Sequence, residues 1–189
     1  MVDTSVKEYT AEDLITYKLQ RSGIYVAKPK FDMDGTDLFA LLRLKSATGI
    51  VFKYCRIQCK CRSLTMAGKN IIDIPKSYVK ADFVVFLYID DGDVAENYLF
   101  CFLWEDIVAN SSPWHLQGDK FRLSVSSCNF KEALKGYIFS QSKVDKIKQR
   151  IETSFQVIAN NYISAELSLP PIETKIEIKG DGVVGKQKG

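Results

Sequence analysis

The chain has 189 residues, enough for one compact domain with a real core, and its 46% hydrophobic and 26% charged residues make an ordinary globular composition. The formal charge is +3, from 26 Lys and Arg against 23 Asp and Glu. That excess is too small to identify a nucleic-acid ligand, because affinity for phosphate depends on local clustering. A single histidine, His115, excludes a histidine-rich zinc site and leaves one imidazole for any serine or cysteine nucleophile, so carboxylates and lysine are the expected chemistry.

The first residues, Met1 to Ser5, lack the basic and apolar regions of a signal peptide. A helix is expected from about Ala11 to Ser22, with Leu14, Ile15 and Leu19 as its apolar stripe, Thr10 as N-cap and Gly23 as stop. A short strand follows at Ile24 to Ala27. Asp34-Gly35 is a turn signal, after which Thr36 to Leu44 reads as a strand and Lys45 to Gly49 as a hairpin connection. The next strand, Ile50 to Arg62, alternates from position 56. Arg56, Gln58, Lys60 and Arg62 fall on one face and Ile57, Cys59 and Cys61 on the other, which predicts one wet and one buried face.

Two apolar strands, Phe83 to Ile89 and Tyr98 to Trp104, are joined through Asp90-Asp91-Gly92-Asp93, which has the composition of a turn and lacks the spacing of a calcium loop. His115, in Pro113-Trp114-His115-Leu116, sits among bulky apolar residues in a turn-like stretch and is expected to be structural. Phe121 to Ser126 reads as a further strand. From Asn129 to about Asn160 the pattern is helical, with Leu134, Ile138, Val144, Ile147, Ile151, Phe155 and Ile158 on the apolar stripe and a division near Gly136 and Ser140 to Ser142. Pro170-Pro171 marks a break, and the Gly- and Lys-rich residues 180–189 are expected to be disordered. The order of elements implies an α/β domain over residues 1–128, a helical extension packed on it over 129–179, and a tail.

Cysteines occur at 55, 59, 61, 101 and 128. An odd number without an export segment points to free thiols, a reducing compartment and a cytoplasmic protein. Cys55, Cys59 and Cys61 at period two on one strand cannot wrap a tetrahedral zinc, so they are expected in the core. The longest apolar run, Phe83 to Ile89, is seven residues, far below the ~20 that span a bilayer, and no membrane association is expected.

Gln58 and Lys60 lie two apart on a strand and share a face. Asp37, just after the turn on the facing strand, could hold Mg²⁺ while Gln58 contributes an amide oxygen, both hard ligands. A lysine beside such a group can position a water or stabilise charge building on a phosphate. Asp37 followed by Ile57-Gln58-Cys59-Lys60 resembles the D…(E/Q)xK signature of the PD-(D/E)xK nuclease superfamily. The stretch from Glu12 to Gly23 resembles the opening helix of its Holliday-junction-resolvase-like branch, and the resemblance covers roughly residues 8 to 105.

The resemblance implies a restriction-endonuclease-like core with a mixed central sheet, and a DNA endonuclease dependent on Mg²⁺ or Mn²⁺. Glu12, Asp37 and Gln58 would be its metal ligands, and Lys60 would complete the catalytic set. It also implies a homodimer where both strands are cut. Arg56, Arg62 and Lys69 are candidate phosphate contacts. The chain departs from the pattern in two places. Gln58 stands where glutamate is commoner and binds a divalent ion more weakly, for want of a charge. Thr36 stands where a proline often precedes the aspartate. Each residue also has a plain structural reading: Glu12 as an acid in a first helical turn, Asp37 as a turn residue, Gln58 and Lys60 as a solvated strand face. Two other functions stay open: a catalytically inactive module of nuclease fold that binds nucleic acid or a protein, and a structural subunit that docks through residues 129–160.

Overall fold

The computed structural model describes residues 4–30, 34–46, 49–64, 70–90 and 98–154. Lys69, Asp91 to Asp93, Phe155, Ile158, Pro170-Pro171 and residues 180–189 lie outside the described residues. The first element, α1 (Thr4–Arg21), begins earlier than its apolar stripe suggests. Thr10 lies inside the helix and does not cap it, because one β-branched residue costs a helix only a fraction of a kcal/mol. Glu12 is therefore two turns into the helix, beyond the reach of the N-terminal dipole.

Strands β1 (Tyr25–Ala27), β2 (Leu38–Ser46) and β3 (Gly49–Ser63) form an antiparallel run. Both long strands extend into what reads as a hairpin connection. Strand β4 (Asn70–Pro75), which the sequence pattern does not announce, and a 3-10 turn at Lys76–Tyr78 lead to β5 (Phe83–Asp90). β5 pairs with β3 in parallel, in the register Gln58 to Val85 and Lys60 to Leu87. β6 (Tyr98–Leu103) then pairs antiparallel with β5, and Trp104 already belongs to the short helix α2 (Trp104–Val108). The five strands form one mixed sheet in the order β1-β2-β3-β5-β6. The expected α/β class with a mixed central sheet is what the chain adopts.

A second sheet, in the order β4-β8-β7, is built from β4, β7 (Trp114–Gln117) and β8 (Lys120–Val125). The helical region expected at its end divides as the glycine and serines suggest, into α3 (Phe130–Ala133), a 3-10 turn at Lys135–Tyr137 and α4 (Gln141–Thr153). Among the stripe residues, Leu134, Val144, Ile147 and Ile151 are buried, while Ile138 is exposed and bridges to Phe100.

Two cores follow from the two faces of the central sheet. On one face, Ala11, Ile15 and Leu19 of α1 and Val144, Ile147 and Ile151 of α4 cover Cys55 and Ile57 of β3 and Phe86 of β5. On the other, Ile72, Ile74, Trp114, Leu123 and Val125 of the small sheet cover Phe83, Val85 and Leu87 of β5 with Phe100 and Phe102 of β6. Parallel strands need a crossover, and the one between β3 and β5 carries a strand of the second sheet where a helix is usual. Cys55 and Cys101 are fully buried and Cys61 nearly so, all as free thiols, as the core reading of the strand cysteines expects, whereas Cys59 is half-buried at the edge of that core.

This second layer overturns the expected wet face of β3. Arg56 and Gln58 are buried, and Lys60 and Arg62 are half-buried. Arg56, a candidate phosphate contact, is engaged within the fold. Its Nε and Nη2 donate to Asp82 at 2.7 and 3.0 Å, and Nη2 also donates to the Tyr78 carbonyl at 3.1 Å. Burial works against its charge, and the hydrogen bonds and charge of Asp82 more than offset this, raising its pKa.

Two measurements check these cores. Arg56→Ala leaves the part-buried Asp82 without its partner and should lower the unfolding free energy by roughly 2–4 kcal/mol in urea titrations. Burial also pushes the Cys55 thiol up to about 12 and raises that of Cys101, whereas unfolded thiols ionise near 9.0. The stability these thiols confer is complete below pH 9 and is lost as the pH rises toward their folded values. Between pH 7 and pH 10.5 the melting temperature should therefore fall further in the wild type than in a Cys55→Ala, Cys101→Ala variant.

Candidate functional site

The site lies where β2 parts from β3. The ladder closes at Leu38 opposite Ile57, and one residue earlier the Asp37 N–H still donates to the Ile57 carbonyl at 2.9 Å. The Asp37 carboxylate then takes the place of a backbone acceptor: the Cys59 N–H donates to its Oδ2 at 2.6 Å. A carboxylate is thus fixed at the fork between two strands, where the chain has turned away and left room.

The turn before it explains that divergence. Asp34 and Gly35 both adopt left-handed backbone, at φ 48° and 67°, a conformation open to Gly and, at small cost, to Asp. Gly35 is confined as well. A Cβ there would lie 2.6 Å from the Tyr78 ring and 2.8 Å from Gln58 Nε2, so only hydrogen fits.

Glu12, Asp37 and Lys60 line one pocket of about 100 Å³, together with Ala11, Cys59 and Cys61. The α1 packing that buries Ala11 and Ile15 sets Glu12 beside β3, where Lys28 donates to its Oε2 at 2.7 Å. The Cys59 thiol senses the whole group. Burial raises its pKa most, the charges of Asp37 and Glu12 raise it further, and those of Lys28 and Lys60 oppose them.

Gln58 is not among the residues lining that pocket. It leaves β3 on the face covered by the second sheet, with its amide nitrogen against Gly35 and Tyr78. Its Oε1 is buried without a hydrogen-bond partner, as is the Thr36 hydroxyl one residue before Asp37. Orphaned buried oxygens are rare, and two of them flank the fork.

A hard divalent cation suits the chemistry of these donors: two carboxylates, and a buried amide oxygen left without a donor. Among the described residues no group of three or more His, Cys, Asp or Glu gathers around a point that could hold a metal. Of the candidate phosphate contacts, Arg62 is half-buried and donates to the Cys61 carbonyl at 2.9 Å. Two residues at the site, Lys28 and Tyr78, carry no signal in the sequence. Lys28 follows a three-residue strand, and Tyr78 lies in a turn with no pattern of its own. No helix among the described residues is long and apolar enough to cross a membrane.

No protein-family model matches this sequence, and no curated protein sequence matches it. Among solved structures, the bacterial homing endonuclease I-Ssp6803I is similar over 80% of this chain and 97% of its own, with a TM-score of 0.48 and 12% sequence identity. A likeness this loose carries no argument about activity.

Gly35→Ala should combine left-handed strain with a clash against Tyr78 and Gln58. The expected loss is about 2–4 kcal/mol, read as a lower urea midpoint with an unchanged slope.

Proposed function

We propose that the chain is a metal-dependent nuclease that hydrolyses DNA phosphodiester bonds at the β2–β3 fork. The observation that carries this reading is the convergence of Glu12 from α1, Asp37 from the start of β2 and Lys60 from β3 on one pocket. Three elements distant in sequence bring two acids and a lysine to the lining of one pocket, as the D…QxK resemblance implies. Glu12 and Asp37 would hold Mg²⁺ or Mn²⁺, and the unpartnered Gln58 Oε1 is the further hard oxygen at the fork. The ion, when bound, supplies Lewis acidity toward the phosphate and lowers the pKa of bound water.

The residues of the chain do the rest. Lys60 holds the attacking water and meets the negative charge that builds on the phosphate oxygens. Asp37, held by the Cys59 N–H, cannot swing out of the fork. Lys28 fixes the Glu12 carboxylate and tempers the repulsion between two acids.

A second reading is favoured by one observation: Gln58 carries no charge and lies outside the pocket lining. A module of this fold that binds nucleic acid without cutting it would show those features.

Cleavage of plasmid, linear and branched DNA in Mg²⁺ or Mn²⁺, against EDTA, separates the two. The expected result is metal-dependent cleavage that falls at least about 100-fold in Lys60→Ala and in Asp37→Asn, with both variants folded. DNA binding without cleavage in the wild type would establish the inactive module, and wild-type rates in both variants would remove the site.

A further inference from the structure

The small sheet presents a second feature that the fork does not use. Its inner face is apolar and buries Ile72, Ile74, Trp114, Leu123 and Val125, while Leu116 near the hairpin tip is exposed. Its outer face carries His115 and Gln117 from β7, Arg122 and Ser124 from β8, and Asp73 and Ile71 from β4, in the registers His115 to Arg122, Asp73 to Arg122 and Ile71 to Ser124. His115, expected from the sequence to be a structural residue in a turn, is an exposed residue on this strand.

Arg122 is at the centre, and it is held. Its Nε and Nη2 donate to the two Asp73 oxygens at 2.7 Å each, and its Nη1 donates to Gln117 Oε1 at 2.9 Å. A guanidinium carries five N–H donors. Three bonds leave two N–H groups for a ligand, and Asp73 and Gln117 hold the fork in one orientation. An arginine already ordered loses less entropy when it binds, which is how side chains that read a planar acceptor pair are set up.

The hairpin is also tied to the site. The Lys76 N–H donates to the Asp119 carbonyl at the hairpin tip, at 2.8 Å. Lys76 begins the 3-10 turn that ends in Tyr78, whose ring lies against Gly35 and Gln58. The tip of the hairpin is thus tied through one turn to the loop that carries Gly35. Lys76 and Lys120, both exposed, flank the tip and suit phosphates on either side.

We infer that the outer face of the β7–β8 hairpin is a DNA-reading surface that enters the major groove, with Arg122 as its central base contact. The inference rests on the reading of the chain as a protein that acts on duplex DNA. Strands of a β-sheet can present side chains to base edges in the major groove, and here β4, β8 and β7 together form the presenting face. A buttressed guanidinium matches the O6 and N7 acceptors of guanine, and the Gln117 amide and Ser124 hydroxyl can serve other base edges. Ile71, 45% exposed on an otherwise polar face, suits a thymine methyl. Duplex RNA does not fit, because its major groove is too deep and narrow for side chains to read.

The test is selection from a random-sequence duplex DNA library with Ca²⁺ in place of Mg²⁺, on wild type, Arg122→Ala, Arg122→Lys and Gln117→Ala, each checked for folding by circular dichroism. Wild type should enrich a sequence. Arg122→Ala should lose the preference at one base pair and bind the selected duplex about 10- to 100-fold more weakly. Arg122→Lys, which keeps the charge without the fork, should lose the same preference. Gln117→Ala should weaken it, and duplex RNA should not compete. Unchanged selection by folded Arg122→Ala and Arg122→Lys overturns the assignment, as does a wild type that binds no duplex DNA or is displaced equally by duplex RNA. The nuclease reading fails separately: cleavage lost in Lys60→Ala with unchanged selection in the Arg122 variants removes only the hairpin, and altered selection without cleavage under any metal removes only the chemistry.

Discussion

Arg56 leaves the middle of β3 and closes two hydrogen bonds on Asp82 just before β5, while a third reaches the carbonyl of Tyr78. The same two residues are joined through their backbones, the Arg56 N–H donating to the Asp82 carbonyl at 2.7 Å. The guanidinium also lies over the Phe83 ring, 5.4 Å from its centre. One side chain thus fastens the site-bearing strand to the turn that delivers the second sheet and to the strand that runs parallel with β3. A buried pair of this kind adds little to net stability against an apolar replacement, but leaving either partner alone is costly. Its effect is on which arrangement forms.

The fork depends on that arrangement. With the Lys76–Tyr78 turn anchored, Tyr78 stands against Gly35 and Gln58, and residue 35 can only be glycine. The left-handed turn at Asp34 and Gly35 lifts the chain off β3, and the ladder is completed by the Asp37 carboxylate instead of the backbone. A side chain that satisfies a strand N–H cannot drift, and Asp37 gains its fixed position from a hydrogen bond the sheet requires in any case. Glu12 arrives from the opposite layer through packing alone, since Ala11, Ile15 and Leu19 set the rotation of α1 over β3. Glu12 from one layer and Lys60 from the central strand line one pocket where the sheet opens beside α1.

Much of this is legible in the amino-acid sequence. Leu14, Ile15 and Leu19 mark the helix, the alternation from Arg56 to Arg62 marks the strand, and Asp34-Gly35 marks the turn, because each rests on local geometry that a few neighbouring residues impose. Asp37, Lys60 and Glu12 can be named from spacing and resemblance, and the three do share a pocket. Strands β4 and β7 leave no such signal. Each is four to six residues long, and Trp114-His115-Leu116-Gln117 has only one buried residue. Arg56 is misplaced by its pattern for a different reason: alternation shows that a face is polar and cannot show what lies over it.

The sequence by itself determined α1, the strands of the central sheet, the α/β class and the residue types able to do phosphate chemistry, since these follow from period, turn residues and side-chain chemistry. Tertiary structure alone decided which polar residues of β3 meet solvent. It turned Arg56 into an internal tie, set the Gln58 amide nitrogen beside Gly35 and outside the pocket lining, and paired Glu12 with Lys28. The physical reason is that the burial and charge environment of a strand face are set by the layer laid across it. That layer forms only when β4, the strand next after β3, pairs with β8, with Asn70 opposite Val125, and the two segments are too far apart in the chain for any local pattern to join them.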